Sequence, residues 1–287
     1  MKKKNLQQRL LLTTLTILSM GLVACGLNTR QGSNRLSDET VEENVESVNS
    51  EESIENDGSS KLELPAFRSS TGEKILYRDA YTVSYNAENR LPNWVAWCLT
   101  RDHTNGTWKR KGIRFQEDQE VSTPRATDAD YYNSGYDRGH MCPSGDNQWS
   151  EQAQIQSFLF TNCCPQVHGL NAGDWNEIEA QCRRWAKEYG EVYIVSGPIM
   201  YKGKHKTIGR NKVVVPDAFF KVVLRMKPSP AAIGFIYKNV SGNRPKSAYV
   251  NTVDEVERIT GYDFFASLPD KIENKVEAHA DLDEWSR

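Results

Sequence analysis

Five short apolar runs in the last two-thirds of the chain have the length and composition of β-strands. They are rich in Val, Ile, Leu and aromatic residues, which fit a buried pleated surface, and turn-forming residues such as Gly and Asn lie between them. The runs are residues 94–99, 192–195, 213–215, 219–224 and 232–237. The pattern predicts a mixed or antiparallel sheet that builds the core.

A different period, of three and four residues, follows the first of these runs. Such spacing places apolar side chains on one face of a helix. Asp174 can cap the start of this helix, Glu177 can complete a capping box, and Gly190 can end it. The apolar positions are Trp175, Ile178, Cys182, Trp185 and Tyr189.

A second helix is predicted to begin at Thr252, because Glu255 stands three residues further on in the spacing of a capping box. The predicted strands and helices lie in the same part of the chain and do not alternate regularly. The predicted fold class is α+β, with helices packed against the sheet.

The first 25 residues have the three parts of an export signal. Residues 2–4 are Lys, residues 10–23 are mostly apolar, and small residues lead to Cys25. The apolar run is short for a membrane span, so a signal peptide is the better interpretation. The ending Leu22-Val23-Ala24-Cys25 resembles the bacterial lipoprotein signal, in which the cysteine becomes lipidated. We expect an exported cell-envelope lipoprotein or an extracellular protein; the alternative is an uncleaved anchor with an ordinary Cys25.

Residues 26–62 are rich in Ser, Asn, Glu and Asp and have almost no aromatic side chains. Such a segment buries too little apolar surface to offset its ordering entropy, so it is predicted to be a flexible tether. Residues 63–287 are enough for one domain with one sizeable core.

The predicted domain is close to neutral. Of 36 Lys and Arg residues, 7 lie in residues 1–62, and of 38 Asp and Glu residues, 9 lie there, so equal numbers of each sign remain. A strongly charged partner would therefore have to bind a local surface patch of opposite charge. One basic cluster precedes the motif described below, and it consists of Arg101, Lys109, Arg110, Lys111 and Arg114. The alternative interpretation of this cluster is a solvated charged hairpin.

The domain has an odd number of cysteines, and none stands in a Cys-x-x-Cys spacing. We interpret them as packing residues or as one or two disulfide bridges, and not as metal ligands. They are Cys98, Cys142, Cys163, Cys164 and Cys182.

One tetrapeptide, Asp137-Arg138-Gly139-His140, combines a base with a fixed cation. Oxygen-bearing side chains suited to a hard metal follow within about forty-five residues, namely Asn162, Gln166, Asn171 and Glu179. Hydrolysis of a phosphodiester needs this inventory: a base for water, a divalent cation and an arginine for the charge on phosphorus. The sequence therefore points to a nuclease.

The wider segments are Tyr136-Asp137-Arg138-Gly139-His140-Met141-Cys142-Pro143, Thr161-Asn162-Cys163-Cys164-Pro165-Gln166, and Leu170-Asn171-Ala172-Gly173-Asp174-Trp175-Asn176-Glu177-Ile178-Glu179. In order and spacing they resemble the DNA/RNA non-specific endonuclease family, whose active site is a ββα-metal finger. The resemblance extends from about Asn93 to Trp285. The adjacent Cys163 and Cys164 depart from the family pattern, beside the site and not on a proposed ligand.

His140 is the predicted general base, since a neutral imidazole can accept a proton from water without a strongly shifted pKa. The resemblance implies that Asn171 is the one protein ligand of a Mg²⁺ ion, with Mn²⁺ as a possible replacement. Glu179 would orient water around the ion. Asn171 and Glu179 are eight residues apart, about two helical turns, and so can share one face. The alternative for His140, Asn171 and Glu179 is that each has only a local structural role.

Arg138 is predicted to bind the scissile phosphate, with a structural ion pair to Asp137 as the alternative. Asp137 is expected to hold the motif backbone or Arg138, and the resemblance gives Asn162 and Gln166 supporting positions. It also implies an upstream phosphate-binding arginine, for which Arg110 is nearest in spacing, with Arg114 or Lys109 as alternatives. The other histidines, His103, His168, His205 and His279, receive no role.

The predicted reaction is metal-dependent cleavage of DNA and/or RNA that leaves 5′-phosphate ends. All the contacts named are to phosphate, so little sequence preference is expected. A non-catalytic surface protein for nucleic-acid binding or uptake is an alternative, as is a phosphodiesterase for a small nucleotide or lipid headgroup. The residues do not define the oligomeric state.

Overall fold

The structure, a computed structural model, describes residues 61–66 and 73–285. The predicted signal peptide, Cys25 and residues 26–60 of the predicted tether lie outside the described residues. In the described part, no helix has both the length and the apolar character that crossing a bilayer requires.

Within residues 73–285, seven strands form one antiparallel sheet, and two further pairs form separate two-stranded ribbons. In chain order the strands are β1 (Glu73–Tyr77), β2 (Thr82–Asn86), β3 (Leu91–Thr100), β4 (Asp137–His140), β5 (Cys163–Gln166), β6 (Glu191–Ile199), β7 (Thr207–Ile208), β8 (Val213–Val214), β9 (Ala218–Arg225), β10 (Ala231–Lys238) and β11 (Val250–Asn251). The order across the sheet is β1-β2-β3-β6-β9-β10-β11, with every pairing antiparallel. Four of the five predicted runs lie in this sheet, whereas the run at residues 213–215 contributes β8 to a ribbon with β7.

Five α-helices connect or cover these strands in the described residues. They are α1 (Asp128–Tyr131), α2 (Glu151–Gln156), α3 (Trp175–Tyr189), α4 (Val253–Thr260) and α5 (Asp270–Glu277). The two helices predicted from periodicity and capping are α3 and α4, so the predicted α+β class is confirmed. Thr252 accepts the backbone N–H of Glu255 at 3.1 Å, as the capping pattern predicts.

Helices cover both faces of the sheet, so its central strands are buried on both sides. In β9, Phe219 and Val223 belong to the core beneath α3, while Phe220 and Val222 belong to the core beneath α4 and α5. This alternation follows from the two-residue period of a strand. Each large apolar side chain buried here contributes about 1.5–3 kcal/mol, which ties α3 firmly to the sheet.

The start of α3 differs from the prediction. The Asp174 side chain makes no capping hydrogen bond, because the chain enters α3 from a helical turn, Leu170–Asp174, that kinks at Gly173. The backbone N–H groups that a cap would satisfy are already within helical structure. The Asp174 carboxylate accepts a hydrogen bond from the Tyr249 hydroxyl instead. Gly190 does end the helix, at a φ of 94°.

The five cysteines of the domain all lie in the described part and all are free thiols. Cys98 is partly buried and the other four are buried. The packing interpretation is therefore confirmed, and the alternative of disulfide bridges is wrong for these five residues. Burial raises the pKa of the Cys163 thiol to about 12, so it is unreactive as a thiolate at neutral pH.

Candidate active site

The motif Asp137–His140 forms strand β4, which pairs with β5 and precedes α3 in a strand-strand-helix arrangement. His140 lies opposite Cys163, and the indole N–H of Trp175 in α3 donates to the backbone oxygen of His140 at 3.2 Å. A Cβ on Gly139 would lie 2.3 Å from Oε1 of Gln166, so a side chain there would displace Gln166. The motif glycine is thus required by packing, and the predicted ββα frame is confirmed.

Asp137 joins the strand to the turn before α3. Its Oδ2 accepts a hydrogen bond from Nδ2 of Asn171 at 2.9 Å and lies 2.8 Å from Nδ1 of His168. A carboxylate can only accept, so the Asn171 amide nitrogen must face it, and the side-chain carbonyl oxygen is left available to a cation. The expectation that Asp137 holds Arg138 is wrong; it orients Asn171 and His168.

His140 is buried, with 9% of its surface exposed, between the rings of Phe115 and Phe158 at centroid distances of 4.8 and 4.9 Å. Its Nε2 has no hydrogen-bond partner among the described residues. Burial, with a smaller effect from the Arg110 charge, lowers the pKa of His140 to about 3. The role predicted from the sequence needs no strong shift of this pKa, and the structure shows a large one. The imidazole is therefore neutral at pH 7, and the burial that lowers its pKa also makes it a weaker base than an exposed histidine.

The basic cluster is not uniform, and only one member is tied to His140. The Arg110 guanidinium lies 5.2 Å from the centroid of Phe158, the ring that also packs on His140. Arg101 instead donates to the backbone oxygen of Lys187 at 2.8 Å, at the C-terminus of α3. Lys109 donates to Gln148 at 2.6 Å. The geometry therefore favours Arg110 over Lys109 as the residue that faces the site.

Arg138 pairs with Asp128, not with Asp137. Its Nη2 lies 2.7 Å from Oδ1 of Asp128, and its guanidinium packs over the ring of Tyr131 at 5.5 Å. Asp128 is exposed, so this pair is weak and screened by solvent. The alternative of a structural pair with Asp137 is wrong, and the partly exposed Arg138 guanidinium remains accessible to a phosphate.

Glu179 lies in a group of partly and fully buried charges beneath α3. Burial raises the pKa of Glu179 to about 7, although the charges of Lys221 and Arg183 oppose the rise. Asp146 is 3% exposed and accepts hydrogen bonds from Arg183 at 2.8 Å and from the Trp97 indole at 3.1 Å. Lys221 is 1% exposed, and its Nζ has no hydrogen-bond partner in the part of the chain that the structure describes.

The two tryptophan rings that contact the Lys221 ammonium explain how it is tolerated there. Its Nζ lies 4.6 Å from the centroid of Trp175 and 4.9 Å from that of Trp97. Aromatic faces attract a cation, and this attraction strengthens where water is excluded. Lys221 is thus a fixed positive charge that faces the acidic side chains of α3 and its surroundings.

The two supporting amides differ in their contacts. Asn162 is fully buried, accepts the backbone N–H of Cys142 at 2.9 Å and donates to the backbone oxygens of Cys142 and Ser157. It therefore fixes the chain that leaves His140. Gln166 is also fully buried, but neither amide atom has a hydrogen-bond partner in the described residues. The Gln166 side chain packs against Gly139 of the neighbouring strand β4.

The donor set of the finger fits a hard, largely hydrated cation. In residues 61–66 and 73–285, the groups of three His, Cys, Asp or Glu side chains close enough to enclose an ion lie outside the finger. Asn171 offers one neutral oxygen, and the Asp137 carboxylate holds its amide nitrogen at 2.9 Å. Mg²⁺ dehydrates reluctantly and accepts such a sparse protein environment, so these residues suit it.

Sequence reasoning missed His168, Asp146, Arg183 and Lys221. Lys221 had a usable signal, because a lysine in the middle of the apolar run 219–224 must be buried once the strand is covered on both faces. Arg183 lies one helical turn after Glu179 and could have been found from that spacing. Asp146 and His168 had no local signal, since their partners are distant in sequence.

Comparison with known proteins places these residues in a family. The family described as DNA/RNA non-specific endonuclease matches residues 58–271, which begins earlier and ends earlier than the resemblance inferred from the motifs. The mitochondrial nuclease EXOG of Xenopus laevis is 35% identical over 214 residues, covering 69% of this chain and 60% of that protein. A nuclease of Nostoc sp. is 31% identical over 218 residues, covering 72% of this chain and 78% of that protein.

A solved structure agrees with the sequence comparison. The crystal structure titled as the EndoG/EndoGI complex and the mechanism of EndoG inhibition has a TM-score of 0.65 and 30% identity, covering 69% of this chain and 87% of that chain. The matched part of this chain spans about three-fifths of the length of the EXOG relatives. With a family match over most of its length and a shared fold, the chain belongs to the DNA/RNA non-specific endonuclease family.

Proposed function

We propose that the protein is an exported, membrane-tethered and metal-dependent endonuclease that hydrolyses DNA and/or RNA with little sequence preference. The observation that carries this proposal is the unpaired Nε2 of His140, a neutral and buried base that lies beside Arg110. A protein that only binds nucleic acid needs cations, but it does not need a base held in this state. Family membership gives the substrate class.

His140, Arg138 and Arg110 have separate roles in the proposed reaction. His140 takes a proton from a water whose oxygen forms the new bond to phosphorus, while the bond from phosphorus to the 3′ oxygen breaks and solvent protonates the leaving group. The products carry a 5′-phosphate and a 3′-hydroxyl. Arg138 and Arg110 hold the non-bridging oxygens, since a guanidinium matches phosphate geometry.

A divalent cation, Mg²⁺ or in its place Mn²⁺, supplies charge stabilisation on the phosphate when it is bound. The Asn171 carbonyl oxygen would hold it, because Asp137 fixes the orientation of that amide. Glu179 would order the water around it, and Lys221 and Arg183 favour the ionised form of that carboxylate.

Attachment to a membrane is proposed from the amino-terminal sequence. Residues 2–4, the apolar run 10–23 and the Leu22-Val23-Ala24-Cys25 ending support an export signal with Cys25 as the lipidated residue. Replacing Cys25 with Ser should move the protein from the membrane fraction to the soluble fraction of the envelope or the medium. Unchanged fractionation of Cys25→Ser would reject the lipid anchor without affecting the enzymatic proposal.

The enzymatic proposal is tested with the full chain, plasmid DNA and RNA, in Mg²⁺ or EDTA. We expect cleavage in Mg²⁺, none in EDTA, and a rate about 10²–10⁴-fold lower for His140→Ala, which is the usual contribution of a general base. His279→Ala is the matched control, since the exposed His279 pairs with Glu284 at 3.3 Å beyond the end of α5. Binding without cleavage by the unaltered protein would support a binding protein instead.

A further inference from the structure

Three carboxylates meet on the sheet face opposite α3, away from the proposed nuclease site. Asp254 and Glu257 are three residues apart on α4, and Glu277 is the last residue of α5. One oxygen from each side chain lies within 4.8 Å of the others. Like charges this close repel, most strongly at the buried Glu277, so a proton or a cation must relieve the repulsion.

Glu277 is the unusual member, because it is buried and incompletely paired. It is 5% exposed, and its Oε1 has no hydrogen-bond partner among the described residues. It also stands at the C-terminal end of a helix, where the helix dipole disfavours a negative charge. A buried carboxylate oxygen without a partner is costly, so its presence calls for a ligand that the protein itself does not supply.

The surrounding residues do not provide the missing charge. No salt bridge in residues 73–285 reaches Asp254, Glu257 or Glu277. Arg258 on α4 is paired with Glu255 at 2.6 Å. Oε1 of Glu257 accepts the Phe264 backbone N–H at 2.7 Å, which fixes this carboxylate in place.

Protonation is the competing way to relieve this repulsion. Burial, followed by the neighbouring carboxylates, raises the pKa of Glu277 to about 9 and that of Glu257 to about 7. Glu273, one helical turn before Glu277, contributes to both shifts. A cation that enters the group must therefore displace at least one proton at neutral pH.

We propose that Asp254, Glu257 and Glu277 form a second, structural cation site that binds Ca²⁺ and joins α4 to α5. Carboxylate oxygens are the preferred ligands of hard cations. Ca²⁺ holds oxygens at about 2.3–2.6 Å and so spans roughly 5 Å between opposite ligands, whereas Mg²⁺, at about 2.0–2.1 Å, spans about 4 Å. Ca²⁺ also accepts several carboxylates in a flexible arrangement, whereas Mg²⁺ is usually bound through only one or two, so the three carboxylates favour the larger ion.

A second group of candidate ligands, His279, Asp281 and Glu284, does not meet the same standard. All three residues are exposed, and His279 and Glu284 already lie 3.3 Å apart as a pair. Exposed acidic groups are satisfied by water, so no unpaired buried atom there requires an ion.

The site is tested by calcium binding and thermal unfolding of the full chain that carries Asn171→Ala, which removes the proposed ligand of the nuclease site. We expect one Ca²⁺ to bind, to raise the unfolding midpoint by a few degrees, and to release protons into a weakly buffered solution near pH 8. Mg²⁺ at the same concentration should raise the midpoint less.

Added to this background, Asp254→Asn and Glu277→Gln should each weaken Ca²⁺ binding about tenfold or more, which is the scale expected for a disturbed metal site. Glu277→Gln should also abolish proton release. Glu255→Gln is the matched control, because it makes the same charge change on α4 at a residue held by Arg258. The Glu255→Gln variant should bind Ca²⁺ as tightly as the protein that carries Asn171→Ala alone.

Two results would overturn the proposal: no calcium-dependent stabilisation, or equal stabilisation in the presence and absence of Glu277. Asp254 is exposed, so Asp254→Asn is expected to fold even if Glu277→Gln does not, and it keeps the test decisive. Cleavage of nucleic acid is not the readout, so failure of this proposal and failure of the proposed nuclease activity are distinguishable.

Discussion

On one face of the sheet, Asp146 and Glu179 lie with Arg183 and Lys221, whereas on the other face Asp254, Glu257 and Glu277 lie together without a paired cation among the described residues. Both groups include a buried carboxylate, Asp146 in one and Glu277 in the other, and burial raises the pKa of members of both. The pKa of Glu179 rises to about 7 and that of Glu277 to about 9.

The difference lies in where the compensating charge comes from. Lys221 and Arg183 are part of the fold and favour the ionised form of Glu179, so this carboxylate is available as a charged group near neutral pH. In the described part of the chain, the charged groups that shift the pKa of Glu277 are all acidic, so a proton or an external cation must neutralise it. A buried carboxylate that is paired with an internal cation is suited to act in a reaction. A buried carboxylate without an internal cation is suited to bind an external one.

The largest expected effect comes from removing the internal cation. Lys221→Met should lower the free energy of unfolding by about 3 kcal/mol, because loss of one partner leaves buried carboxylates uncompensated. Urea unfolding followed by circular dichroism measures the change. Lys275→Met, at an exposed position of α5, is the control and should change stability by about 0.5 kcal/mol or less. Equal losses in the two variants would show that Lys221 does not compensate the carboxylates.

A smaller effect is expected when the compensated carboxylate itself is neutralised. Glu179→Gln should lower kcat/KM for plasmid cleavage about 10–100-fold, the usual scale for residues that orient the surroundings of a metal. Glu177→Gln, on the same helix and exposed, should cleave normally. Glu277→Gln should also leave cleavage unchanged. A loss of cleavage in Glu277→Gln would contradict the separation of the two regions.

The same variant carries a pH test. The pKa of Glu179 is about 7, and its ionised form is the active one, so cleavage by the unaltered protein should fall as the pH drops through about 7. The Gln variant should lack this decline. A decline that persists in Glu179→Gln would assign it to another group.

The smallest effect is expected at Glu277 in the presence of EDTA. A carboxyl whose pKa rises from 4.5 to about 9 on folding stabilises the protein fully below pH 4.5, and this contribution is lost as the pH rises to about 9. Glu277→Gln has no such loss, so its advantage in unfolding free energy should grow with pH. We expect about 1 kcal/mol between pH 6 and pH 8, since neighbouring carboxylates share the proton. A difference that is independent of pH would reject the shifted pKa.

Much of the fold is visible in the sequence because its signals are local. The steps of three and four between Trp175 and Tyr189 predict α3, and the apolar run 219–224 predicts β9. The Asp137–His140 motif predicts the finger, since its spacing to Asn171 fixes the order of strand, turn and helix. The capping prediction at Asp174 fails because a helical turn precedes α3 and Tyr249, 75 residues away, takes the carboxylate.

The sequence by itself determined the central strands of the sheet, the helices α3 and α4, the α+β class and the inventory of a phosphodiesterase site. Only the tertiary structure decided which charges face each other: Asp137 with Asn171 across 34 residues, Asp146 with Arg183 across 37, and Glu277 with Asp254 from a separate helix. The reason is that periodicity and capping act over one or two turns, whereas the energy of a buried charge depends on every group packed around it.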